Sequence, residues 1–132
     1  MTANEARKEA ARHWMEKADD ALRAAGREQQ LSPAASVNRA YYACFYAATA
    51  VLVMEGRKFV KHAAVRGAIH KHLIRQGRLS KELGEAYGNL MKARHEADYQ
   101  ALISWTPQQA ADAIDAAERI VAALRSLLPF ES

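Results

Sequence analysis

Cysteine is almost missing from this chain: Cys44 is the single one in 132 residues, so no disulfide can form within it. Stability has to come from a packed core. Missing as well is an apolar leader, because the opening stretch TANEARKEAARHW is charged where a secretion signal requires hydrophobic residues, and a cytoplasmic location is the expectation. No run is long enough to cross a membrane. The longest uncharged one, Ala40 to Met54, reaches about 22 Å as a helix against a hydrocarbon layer of roughly 30 Å. Nowhere do Val, Ile, Thr and aromatics alternate with the period of two that a half-buried strand needs. Glycine-rich phosphate loops, nucleophile elbows and paired cysteines are absent too. The histidines do not make a zinc pair: His62 and His70 are eight apart, and His70 and His72 point to nearly opposite sides of a helix. No metal and no cofactor are expected.

What is present reads as one helical domain. Half of the residues are hydrophobic, enough for a core, and two separate cores of roughly 65 residues each would sit near the lower limit for unaided folding. A single domain over residues 1–132 is therefore expected. Helix signals recur along it. Thr2 with Glu5 is a capping box opening a first helix that Gly26 should stop. Ser32 and Pro33 start a second, which Gly56 ends near Glu55. A third runs from about Lys61 to Gln76 before Gly77. Ser80 caps a fourth that continues to about Ser104, and Thr106, Pro107 and Gln109 open a fifth, closed by Pro129. Short connections favour antiparallel neighbours, so the spacing predicts an all-α, up-and-down bundle of four to five helices.

Three features break the plain pattern. The second helix is apolar on nearly every side, with Val37, Tyr41, Cys44, Ala48 and Val51 on one stripe and Tyr42, Tyr46, Thr49 and Val53 on another, which places it at the centre of the bundle or under a second subunit. On the fourth helix the apolar stripe Leu83, Tyr87, Leu90, Ala97 and Ala101 is interrupted by Arg94, with Asp98 one turn later. A guanidinium on a core-facing stripe costs several kcal/mol unless it is paired or faces a cleft. Either Arg94 and Asp98 form an ordinary i,i+4 ion pair, or Arg94 offers its planar donors to a phosphate, with Arg39 beside the aromatic cluster of the second helix. Finally, 19 Lys and Arg stand against 15 Asp and Glu, and the segment Arg57 to Lys81 contains no acid at all. Lys61, Arg66, Lys71 and Arg75 within it make a basic patch suited either to polyanions or to solvent.

The runs SVNRAYYACFYAATAVLVMEG and KHAAVRGAIHKHLIRQGRLSKELGEAYGNLMKARHEADY resemble the HEPN superfamily, in particular its small stand-alone prokaryotic branch with an RAYYA-type second helix and an R-x-x-A-D-Y signature. The resemblance spans roughly Glu9 to Leu124. It implies a helical bundle that forms a homodimer with motif residues of both subunits in a shared cleft, and a small nucleotidyltransferase as partner in toxin–antitoxin style. Many members are metal-independent ribonucleases using Arg, four to six residues, then His. Arg94 matches the arginine, but Tyr99 stands at the first allowed histidine position and none of the three allowed positions holds a histidine. His95 and Tyr99 are then the candidates for proton transfer. Tyrosine is a poor base near pH 7, and His95 is turned about 100° from Arg94. Adenylation of a family tyrosine carries over to Ala101, leaving Tyr99 as a displaced acceptor. The leading expectation is a nucleotide- or RNA-phosphate-binding module using Arg94, Asp98, Tyr99 and Arg39. The alternatives are a divergent ribonuclease and a ligand-free interaction bundle.

Overall fold

A computed structural model describes residues 1–58, 61–100 and 102–130. Five α-helices account for nearly all of it: α1 (Ala3–Glu28), α2 (Pro33–Met54), α3 (His62–Ile69), α4 (Lys81–Tyr99) and α5 (Pro107–Arg125). Among the described residues there is no strand, and the fold is all-α. The capping chemistry explains most of the boundaries. Thr2 Oγ1 accepts from Glu5 N at 3.1 Å, Ser80 Oγ accepts from Leu83 N at 3.1 Å, and Thr106 with Gln109 closes a full box. Pro33 occupies the first turn of α2, although the Ser32 side chain makes no cap bond. Gly56 and Gly77 have φ of +80° and +70°, the left-handed conformation that glycine adopts without a Cβ penalty.

Two ends differ from expectation. Gly26 does not stop α1, which runs on to Glu28, since Ala25 is fully buried beneath it and an ordinary helical backbone keeps that contact. The fourth helix ends at Tyr99 and not near Ser104. Leu102 is wholly exposed and Ile103 is exposed too, leaving no apolar burial to hold another turn, and Thr106 before Pro107 is biased to extended backbone. The stripe residue Ala101 lies outside the described residues.

α2 is the central element. Val37, Tyr41, Cys44, Ala48 and Val51 are buried, Thr49 of the second stripe is too, and α1, α4 and α5 pack around it. Ser36 Oγ donates to the Ala25 carbonyl at 2.7 Å, and the Asp19–Arg125 ion pair ties α1 to α5. α3 leans on α2 and passes directly into a π-turn (His70–Ile74), in which Arg75 N donates to the His70 carbonyl five residues back at 3.0 Å. This segment packs closely on α4. A Cβ at Gly84 would lie 2.2 Å from Ile74 Cδ1, and one at Gly88 would lie 2.5 Å from Arg66 Nη2, so glycine is what admits both side chains.

Candidate functional site

Arg94 belongs to the core-facing side of α4, and its side chain is 18% exposed. Burial of that degree obliges a guanidinium to find partners. Its Nε lies 3.1 Å from Asp98 Oδ2, and its Nη2 donates to the Tyr42 hydroxyl at 3.2 Å. The Nε–H itself is directed off the carboxylate and is buried without an acceptor among the described residues. Aromatic faces complete the seat: the guanidinium carbon lies 5.7 Å from the Tyr41 ring centre, 5.5 Å from Tyr42 and 6.0 Å from Tyr99.

Asp98 is in turn held by α2. Asn38 Nδ2 donates to both carboxylate oxygens, at 3.2 and 3.0 Å, while Asn38 Oδ1 accepts from Arg39 Nε and Nη2 at 3.0 and 2.8 Å. The Arg39 guanidinium lies 4.9 Å over the Tyr42 ring. The contacts close on themselves: Arg39, Asn38, Asp98, Arg94 and Tyr42 form a ring that joins α2 to α4. Two of the residues expected to act with Arg94, Asp98 and Arg39, are therefore in place. Tyr99 touches the edge of the site only and is 67% exposed. The His95 ring lies tilted against Tyr99, 5.0 Å between centres, and is exposed.

The sequence reading missed Asn38 and, more consequentially, His62. The first residue of α3 brings an imidazole into the aromatic cluster, stacked 4.2 Å from Phe45 and 5.5 Å from the Tyr42 ring centre. Its Nδ1 is 2.7 Å from the Tyr41 hydroxyl. Arg94 and His62 thus rest against the same tyrosine pair. Loss of solvent and the Arg94 charge both lower the His62 pKa, so the ring is neutral at pH 7. Burial pushes Tyr41 up to about 12, and Tyr87 also goes up from its ordinary value for the same reason; both phenols stay protonated. The Tyr87 hydroxyl lies near that of Tyr41 but closes no well-formed hydrogen bond. No signal within one helix could have revealed His62, because its neighbourhood with Arg94 depends on how α3 crosses α2 and α4.

The basic segment is spread more widely. Lys61 precedes α3, Lys71 and Arg75 are exposed in and after the π-turn, and Arg66 alone lies across α4. The described residues contain no group of three His, Cys, Asp or Glu placed to hold a metal, and no described helix is long and apolar enough to cross a membrane. Cys44 is buried, which raises its thiol pKa and removes it from chemistry.

Fold and site together define a class of all-helical domain that keeps an arginine tethered to its central helix beside an aromatic cluster. The HEPN domain model matches residues 11–127, and the chain belongs to the HEPN family. A UPF0332 protein of Thermotoga maritima is 34% identical over 93 residues, which are 70% of this chain and 70% of that protein. In fold the chain is similar to TT1696 from Thermus thermophilus, with a TM-score of 0.76 and 23% identity over 89% of this chain and 98% of the other.

Proposed function

We propose that this chain is a single-domain, cytoplasmic HEPN module that binds a nucleotide or RNA phosphate at Arg94, as a homodimer, in company with a small nucleotidyltransferase in a toxin–antitoxin-like pair. The observation that carries the reading is the unfinished coordination of Arg94. Asp98 and Tyr42 orient the guanidinium, yet its buried Nε–H has no acceptor among the described residues. A planar cation held in this way meets a phosphate at little entropic cost. Asn38, itself held by Arg39, also takes up the Asp98 carboxylate, so the carboxylate does not fully neutralise the site. Support for the dimer is the exposed apolar group Tyr99, Leu102 and Ile103 at and just after the end of α4, the helix that carries Arg94, where a second copy would cover it and form the cleft that the family resemblance implies. The nucleotidyltransferase partner rests on that resemblance alone.

The test is Arg94→Ala with labelled AMP and a labelled single-stranded RNA. Fluorescence anisotropy should show binding to the unaltered protein and at least a tenfold loss in the variant, with an unchanged circular dichroism spectrum. Equal binding by both proteins would refute the assignment, and light scattering that gives the mass of one chain would refute the dimer.

One observation favours a second reading, the metal-independent ribonuclease. The histidine absent after Arg94 has a counterpart in His62, reaching the cluster from α3. When the imidazole donates its Nδ1 proton to the Tyr41 oxygen, Nε2 presents a free lone pair suited to removing a 2′-hydroxyl proton. RNA cleavage in the presence of a chelator, lost in His62→Gln, would establish this activity; intact RNA after prolonged incubation would dismiss it.

A further inference from the structure

A cleft of about 620 Å³ opens between the α3–π-turn segment and α4, away from the Arg94 ring. Arg66, His70, Lys81, Glu85 and Tyr87 line it, two cationic side chains and a histidine against one carboxylate. Arg66 has no acidic partner among the described residues; its guanidinium lies where a Cβ of residue 88 would be, held on the α4 backbone by the absence of a side chain. Its charge is thus free for a ligand. At the wall, Tyr87 is 1% exposed with a hydroxyl that lacks a hydrogen-bond partner.

The lining of the cleft approaches the Arg94 site without including any residue of the ring. Its far wall includes Ala63 and Met91, next in sequence to His62 and one turn before Arg94. His62, Arg66 and His70 follow one another at intervals of four residues, about 6 Å apart along the axis, and from Lys81 to Arg94 α4 extends about 20 Å. A mononucleotide carries its phosphates at one end and cannot occupy both places. A single strand can: about six nucleotides cover that distance at a stacked rise of about 3.4 Å. We propose that the α3–α4 cleft is a second phosphate subsite, centred on Arg66 and Lys81, that binds single-stranded RNA whose neighbouring phosphates reach Arg94. Glu85 would accept from a ribose hydroxyl or a base amino group within the cleft. The inference rests on the phosphate reading of Arg94 and adds the ligand's length.

Anisotropy with a labelled ten-nucleotide RNA and with labelled AMP separates the two. Arg66→Ala and Gly88→Ala, the latter placing a methyl group under the guanidinium on a helix that tolerates it, should each weaken RNA binding at least fivefold. The slope of log affinity against log salt should fall by about 0.7 for each phosphate contact removed. AMP binding should stay at the unaltered level in both. Arg94→Ala should lose both ligands. Lys71→Ala, an exposed cation of the same segment outside the cleft, serves as control and should leave RNA binding intact. RNA affinity unchanged in both Arg66→Ala and Gly88→Ala, or an equal loss in Lys71→Ala, overturns the subsite and leaves the Arg94 reading standing. Retention of both ligands by Arg94→Ala overturns the reading on which the subsite depends, as does failure of the unaltered protein to bind either ligand. An unaltered protein that binds AMP and not RNA overturns the subsite alone.

Discussion

Replacing Asp98 by alanine should cost far more stability than its place in the sequence suggests. Judged by the helix alone, the residue is poorly placed: it is in the last turn of α4, where the macrodipole disfavours an acid, and it follows its arginine, the weaker order for an i,i+4 pair. Tertiary contacts reverse that balance. The substitution removes the forked hydrogen bond from Asn38 and the ion pair with the largely buried Arg94, at roughly 1 kcal/mol each, so a loss of about 2 kcal/mol is expected. A matched control exists within the protein. Asp115 and Arg119 have the same spacing and the favourable order, but their side chains are 72% and 67% exposed, so Asp115→Ala should cost no more than about 0.5 kcal/mol. Urea denaturation followed by circular dichroism reads the difference as a shift in midpoint at constant slope. Costs for the two variants within about 0.5 kcal/mol of one another would refute the view that burial, and not helix spacing, gives the Arg94–Asp98 pair its strength.

Two further outcomes follow from backbone and titration. Gly26→Ala should stabilise the protein by about 0.5–1 kcal/mol, since its Cβ meets nothing within 4 Å inside an ordinary helix, whereas Gly56→Ala should destabilise it by at least about 1 kcal/mol because φ is +80° there; opposite signs in thermal melts confirm the pair. The lowered pKa of His62 means that the unfolded chain binds more protons than the folded one as pH falls through the ordinary histidine range, so stability contributed by the neutral ring is present at pH 7 and above and is lost toward pH 5. Urea midpoints for His62→Gln should decline less over that interval; an identical decline would place the titration elsewhere.

Local chemistry made the fold legible. Caps at Thr2, Ser80 and Thr106, proline at position 33 and the left-handed glycines 56 and 77 each act over three or four residues, which is the reach of a sequence pattern. Gly26 misled because a glycine ends a helix only where the backbone must turn, and burial of Ala25 keeps it straight. Arg94 was visible as a charge interrupting an apolar stripe. His62 and Asn38 were not, since neither breaks the pattern of its own helix, and their roles arise where α2, α3 and α4 cross. Tyr99, adjacent in sequence to Asp98, lies at the exposed edge of the site, its ring centre 6.0 Å from the Arg94 guanidinium carbon.

The π-turn at His70–Ile74 has a meaning beyond the shape of α3. A π-turn is one residue inserted into an α-helix without breaking it, and every side chain after the insertion is rotated by about 100° relative to an uninterrupted helix. In this chain that added residue lets Ile74 reach the bare backbone at Gly84. A relative one residue shorter at this place would run as plain α-helix, present a different side chain to α4, and have no need of the glycine; an alignment gap at 70–74 and a side chain in place of Gly84 should therefore occur together.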